Sequence, residues 1–161
     1  MNNPRSATIL AAVALGIGLV ACQPSTEQQG LLIPTSLTCA DCPTVAVTRT
    51  VDGDTLDTTQ GRLRLFGVDT PEKGERCFSE ATDRLSGLAG ELIRVESGPR
   101  ATDPFGRQLY YVYTMAGYSV EAILIREGLG MAWTRDGQHR GYLMALEESA
   151  REQGVGCLWG R

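Results

Sequence analysis

Val45-Ala46-Val47-Thr48-Arg49-Thr50-Val51 alternates apolar and polar residues, and Asp52-Gly53-Asp54-Thr55 follows it at once. Alternation of period two predicts a strand, and Asp-Gly bends the chain into the next one. A second strand is predicted over Asp54–Thr59, a turn at Gln60-Gly61, and a third strand over Arg62–Val68. The buried face of that third strand carries Leu63 and Leu65, with Gly67 either continuing the face or marking a bulge. Phe78, Ala81, Leu85, Leu88 and Ala89 recur near helical spacing before Gly90, which predicts a helix over Phe78–Ala89. Leu92–Glu96 and Arg107–Met115 read as strands, and Ser119 as the cap of a helix closed by Gly128. A short apolar run, Leu129–Trp133, leads to an amphipathic helix from about His139 to Gln153. Three strands, a helix, two strands and two helices is the element order of an α+β protein built on a five-stranded OB-type Greek-key β-barrel with about three α-helices.

The chain of 161 residues is long enough for one domain with a proper core. Its first 21 residues stand apart. A weakly positive start with Arg5 precedes the apolar run Ala7–Val20, which suits the h-region of a secretory signal better than a bilayer span. The run ends Leu19-Val20-Ala21-Cys22, a sequence that resembles a bacterial lipoprotein cleavage box with Cys22 as the lipidated residue. Residues 22–44, with Gln, Ser, Thr and Pro and no sustained periodicity, are expected to form a flexible linker, and the domain to occupy 45–161. The expected location is therefore the bacterial cell envelope, exported and membrane-anchored. Gln23 after the cysteine, by analogy with lipoprotein sorting, favours an outer membrane where there is one.

Removing the leader takes Arg5 from a balance of 15 basic and 19 acidic residues, shifting the net charge from −4 to −5. Bulk electrostatic capture of a polyanion is thereby disfavoured, though arginines local to a cleft are not. Cys39, Cys42, Cys77 and Cys157 remain beside Cys22, an even count that in an exported chain points to disulfides. Of three pairings, Cys39–Cys42 with Cys77–Cys157 is preferred, since the first pair precedes the domain. A redox Cys-x-x-Cys and a zinc site are the rivals; the first lacks a surrounding βαβ pattern and the second lacks paired spacing.

The polar residues concentrate in three places: Asp52-Gly53-Asp54-Thr55, Arg64-Leu65-Phe66-Gly67-Val68-Asp69-Thr70-Pro71-Glu72, and Asp103-Pro104-Phe105-Gly106-Arg107. Carboxylates can hold a hard cation and activate water, while guanidinium forks neutralise charge on a phosphoryl group. Taken singly, each residue also suits a turn or a solvated strand; their joint occurrence suits phosphodiester cleavage.

In this order the motifs resemble the staphylococcal nuclease (thermonuclease) family, and the similarity extends through Leu109–Tyr113, Glu127-Gly128-Leu129 and Leu158-Trp159. The resemblance implies a Ca²⁺-dependent, largely non-specific endonuclease acting on DNA and RNA, preferably single-stranded, and leaving 3′-phosphates. It implies Asp54, Asp69 and the Thr70 carbonyl as Ca²⁺ ligands, Glu72 as the group activating water, and Arg64 and Arg107 on the scissile phosphate. Phe105 and Trp133 are implied as substrate-binding residues. A Lys-Tyr pair that grips a terminal phosphate in a relative is replaced by Pro104-Phe105, and the segment after Glu72 is shorter than the family's lysine-rich loop. Weaker, more salt-sensitive binding is therefore expected. Tyr110, Tyr111 and Tyr113 read as structural, His139 as a helix-surface residue, and the protein as a monomer. The alternatives are a non-catalytic OB-fold nucleic-acid-binding module and an envelope lipoprotein without Ca²⁺-linked stability.

Overall fold

The computed structural model describes residues 36–160; the expected leader, Cys22 and the linker through residue 35 lie outside the described residues. Along the chain run β1 (Thr44–Thr50), β2 (Thr55–Thr58), β3 (Gly61–Leu65), β4 (Val68–Asp69), α1 (Phe78–Ala89), β5 (Leu92–Thr102), β6 (Gln108–Tyr113), α2 (Val120–Arg126), β7 (Met131–Ala132), α3 (Arg140–Glu152) and α4 (Gly156–Trp159). Five strands close a barrel in the order β1-β2-β3-β6-β5, in which β3 and β6 are parallel and the other pairs antiparallel. The expected barrel is present, with four helices among the described residues rather than about three.

The β2–β3 hairpin turns at Gly61, whose φ of 115° suits glycine. Leu63 and Leu65 face the interior with Leu56, Ile93 and Tyr111, all essentially without solvent exposure. Burying each leucine contributes about 1.5–3 kcal/mol. β3 stops at Leu65 because the chain bends at Phe66-Gly67, where the backbone passes under α3. A Cβ on Gly67 would lie 2.4 Å from Leu143 Cδ1. The chain then forms β4, which pairs with β7 in a separate two-stranded ladder. Helix α1 buries Ala81, Leu85 and Ala89, α3 buries Leu143 and Ala150, and α2 packs against both helices.

The last part of the expected linker belongs to the domain. Ser119 N–H donates to the Leu37 carbonyl (3.0 Å), Cys39 N–H to Gly117 (2.8 Å), and Val95 N–H to Pro43 (2.9 Å), while Cys42 is buried. Backbone pairing with the α2 entrance, rather than side-chain periodicity, fixes this segment. Two disulfides form, Cys39–Cys42 and Cys77–Cys157. His139 is also more tightly held than a surface residue: its Nε2 lies 2.9 Å from Glu96 Oε2, and its ring meets Tyr111 edge-on at 4.6 Å. Glu96 further accepts from the Tyr113 hydroxyl and from Gln138 Nε2 (3.0 Å). Burial raises its carboxyl, but these hydrogen bonds outweigh burial and leave it below the ordinary glutamate range.

Glu121 is fully buried at the start of α2. Its Oε1 accepts the Val112 N–H (2.7 Å) and its Oε2 the Ser119 hydroxyl (3.0 Å), so it satisfies a strand donor that the ladder leaves over. Burial pushes its carboxyl up to about 7, against the lowering effect of these bonds.

The folded state therefore binds this proton more tightly than the unfolded chain. Its contribution is complete below the ordinary glutamate pKa of about 4.3 and is lost as pH rises through about 7. Denaturant melts from pH 5 to 8 should show a fall in stability that Glu121→Gln removes; an unchanged pH slope in the variant would contradict the assignment. The 80-residue separation bridged by Cys77–Cys157 predicts a second effect. Replacing both cysteines by serine should cost up to roughly 4–5 kcal/mol on the loop-entropy estimate, measured by urea melts.

Candidate active site

Asp54 leaves the β1–β2 turn, and Gly53 permits its position. A Cβ on Gly53 would lie 2.6 Å from Thr70 Oγ1 and 2.8 Å from Ala81 Cβ, so a side chain would separate the turn from the β4 exit. With glycine there, Asp54 Oδ2 accepts both the Thr70 N–H (2.9 Å) and the Thr70 hydroxyl (3.0 Å). Asp54 Oδ1 accepts the Thr55 hydroxyl (3.2 Å).

Arg64 sits on β3 opposite Thr55, so the hairpin register sets it beside Asp54. Its Nη1 donates to the carbonyls of Leu65 (2.8 Å) and Val68 (2.7 Å), which fastens the guanidinium to the bend between β3 and β4. Its Nη2 reaches Asp69 Oδ1 at 2.6 Å and Asp54 Oδ2 at 3.3 Å. One nitrogen thus meets two carboxylates from separate parts of the chain. Burial pushes the Asp54 carboxyl above its ordinary range, and Arg64 and the Thr70 bonds pull the other way without cancelling it. The Asp69 side chain is half exposed, leaving one side of the pair open to solvent.

Arg107 enters from the β5–β6 loop at the start of β6. Asp103 folds that loop: its Oδ1 accepts the N–H groups of Phe105 and Arg107, both at 2.9 Å, and its Oδ2 accepts Arg107 Nε at 2.6 Å. Gly106 completes the turn at φ 77°. Burial raises the Asp103 carboxyl, but the Arg107 side chain and the two backbone N–H groups outweigh burial and hold it below its usual range. Arg107 Nη1 also lies 3.4 Å from Thr55 Oγ1, on the strand that follows Asp54.

These groups open into one cavity of about 310 Å³ whose lining includes Arg64, Asp69, Glu72, Phe105, Arg107 and Trp133. A second, more open cavity of about 590 Å³ adjoins it and shares Glu72, Phe105 and Arg107. The structure therefore brings together Asp54, Arg64, Asp69, Thr70, Glu72, Phe105, Arg107 and Trp133, eight positions singled out from the sequence. Glu72 is exposed, and its N–H donates to Glu75 Oε2 (2.8 Å) within the short connection into α1. Phe105 is 84% exposed.

Beyond these eight positions, Asp103, Arg100, Asp136 and Arg135 also belong to the site. Asp103 carried a visible signal, an aspartate four residues before an arginine around a Pro-x-Gly turn. Arg100 and Asp136 carried none: Asp136 accepts Arg100 Nε (2.6 Å) and Nη2 (3.2 Å) and also Trp133 Nε1 (2.7 Å), a junction between segments 36 residues apart.

The donor set between Asp54 and Asp69 is all oxygen, and the two carboxylates converge on one cationic nitrogen. That geometry fits a hard divalent cation. Among the described residues no group of three or more His, Cys, Asp or Glu side chains clusters for a metal. Such a cation would take its further ligands from backbone carbonyl oxygen, water and substrate.

Comparison with known proteins agrees with this geometry. Residues 62–161 match the family described as staphylococcal nuclease homologue. The chain is 32% identical over 126 residues to a protein of Shigella flexneri named micrococcal nuclease, covering 70% of this chain and 71% of the relative. It is 34% identical over 119 residues to a protein of Escherichia coli O157:H7 named uncharacterized endonuclease, covering 70% and 74%. A protein of Staphylococcus hyicus named thermonuclease shares 32% identity over 136 residues, covering 78% and 79%. With the barrel, the convergent carboxylates and the cavity arginines Arg64 and Arg107 in place, these matches establish that the chain belongs to the staphylococcal nuclease family.

Proposed function

We propose that this nuclease is a Ca²⁺-dependent endonuclease of broad sequence tolerance, acting on single-stranded DNA and RNA and leaving 3′-phosphates. The observation that carries the reading is the meeting of Asp54 and Asp69 at one Arg64 nitrogen, at the edge of a cavity that also holds Glu72 and Arg107. Asp54, Asp69 and the Thr70 carbonyl would hold the Ca²⁺, which supplies Lewis-acid polarisation of the phosphoryl group.

The chain's own residues do the rest. Glu72 is exposed at the junction of the two cavities and free to take a proton from an attacking water. Arg64 and Arg107 donate to the phosphoryl oxygens, where negative charge grows as the water attacks in line. Asp103 already orients the Arg107 fork, and two carbonyls hold Arg64 Nη1, so the Nε–Nη2 edge of Arg64 is the part that would turn to the phosphate. The adjoining cavities leave room for a strand to continue on both sides of Arg107, which favours internal cleavage. Phe105 and Trp133 contact the nucleotide beside the scissile phosphate. Export and anchoring through Cys22 complete the proposal; the two disulfides support an oxidising location.

Cleavage of a labelled single-stranded oligonucleotide by the full chain, with Ca²⁺ or with chelator, tests this directly. Ca²⁺-dependent cutting that falls about 10²–10⁴-fold in Glu72→Gln is expected. No cutting by the oxidised, folded wild type at low salt would reduce the protein to a non-catalytic OB-fold module. Asp103→Asn keeps the loop acceptor but removes the charge holding Arg107, and should lower kcat about 10–100-fold with little change in melting temperature. A melting temperature that falls in step with kcat would mean that Asp103 serves the fold instead.

A further inference from the structure

Four arginines line the 310 Å³ cavity: Arg64, Arg100, Arg107 and Arg135. Three of them are matched by carboxylates, Arg64 by Asp54 and Asp69, Arg100 by Asp136, and Arg107 by Asp103. Arg135 makes no ion pair or side-chain hydrogen bond among the described residues. Instead its guanidinium carbon stands 5.1 Å from the centroid of the Trp133 ring. That ring is fixed: Nε1 donates to Asp136, which Arg100 clamps from β5, and the Trp133 N–H donates to the Gly67 carbonyl (3.0 Å). An exposed cation is thus held on a rigid platform at the cavity wall, near enough to Asp136 for its charge to act on that carboxyl but without an ion pair among the described residues, in a chain whose net charge is negative.

We propose that Arg135 binds a second phosphate, taking a non-bridging oxygen of a phosphate neighbouring the scissile one, and that Trp133 acts chiefly as the platform that aims it. The inference rests on the nuclease reading of the same cavity but differs on the role of Trp133: one ring face carries Arg135 and is not open to a base. Pro104-Phe105 supplies no cation, so Arg135 is the arginine of this cavity without an ion pair among the described residues that could hold the rest of the strand.

The test uses the full chain and a fluorescein-labelled single-stranded octanucleotide, with binding followed by anisotropy in chelator and cleavage in Ca²⁺. Arg135→Gln should weaken binding about tenfold and lower the slope of log Kd against log salt by roughly 0.7, one phosphate contact on a single strand. KM should rise with kcat within about twofold, and Arg135→Lys should restore most of the affinity. A p-nitrophenyl nucleoside diester, which has a single phosphate, should be hydrolysed equally by wild type and Arg135→Gln. Trp133→Ala should weaken binding to a similar extent and add little to Arg135→Gln. An unchanged salt slope, an equal loss on the single-phosphate ester, or additive losses in the double variant would overturn the proposal. A wild type that binds but does not cut would sink the nuclease reading alone, because the anisotropy series still decides the role of Arg135.

Discussion

Asp54 is a carboxylate that the fold has taken out of water, and much of the site follows from what that requires. A buried carboxylate is tolerated only with charge and hydrogen-bond partners close by. Thr70 supplies two donors, Thr55 one, and Arg64 the opposite charge. Each partner constrains a different element. Thr70 brings the β4 exit against the β1–β2 turn, which is why residue 53 has no side chain. Arg64 must leave β3 opposite Thr55 and spend its other nitrogen on the bend where β3 ends. Truncating Arg64 would leave a buried charge uncompensated, a loss of about 3–5 kcal/mol in comparable pairs. It would also leave Asp54 and Asp69 facing each other with like charge. The same convergence that stabilises the barrel edge is the one the proposed cation would use.

The pairing of arginines explains how an acidic protein can serve a polyanionic substrate. Every cavity arginine except Arg135 is held by an aspartate, so the resting site carries little excess positive charge. The aspartates set direction more than affinity. Asp103 uses one oxygen to shape its loop and the other to aim Arg107, and Asp136 uses both oxygens on Arg100 while also fixing Trp133. Oriented forks lose less entropy on meeting a phosphate than free side chains do. Long-range attraction is correspondingly small, so capture depends on short-range contacts.

The sequence made local structure and local chemistry legible. Helix α1 occupies the predicted Phe78–Ala89, because its apolar spacing and the glycine stop are both written within thirteen residues. The third strand was read three residues too long, since the bend at Phe66-Gly67 depends on Leu143, more than seventy residues away. Two-residue strands such as β4 and β7 have no periodicity to detect, and they exist because the bend brings Val68 opposite Ala132. Residues 37–44 read as a tether because their hold on the domain is through backbone bonds and a three-residue disulfide loop. Seven of the eight site positions lie in the combined motifs and Trp133 came from the family resemblance, whereas Arg100 and Asp136 are meaningful only as a pair joined across space.

The aromatic residues show where residue identity underdetermines role. Phe105 and Trp133 both line the cavity, and each has an arginine over its ring, Arg107 at 5.7 Å and Arg135 at 5.1 Å. The two differ in what holds the arginine. Arg107 is clamped by Asp103, so its proximity to Phe105 follows from the loop, and Phe105 remains 84% exposed and open to a base. Arg135 has no clamp except the indole, and the indole is itself fastened through Asp136 to Arg100. Rigidity therefore passes from the barrel wall to the tryptophan and from the tryptophan to the one cavity arginine without a carboxylate. On the proposed reading, a strand that continues past the scissile bond would lay a flat hydrophobic base on Phe105 and bring a phosphate to Arg135. The division of labour is decided by hydrogen bonds two residues removed from the substrate.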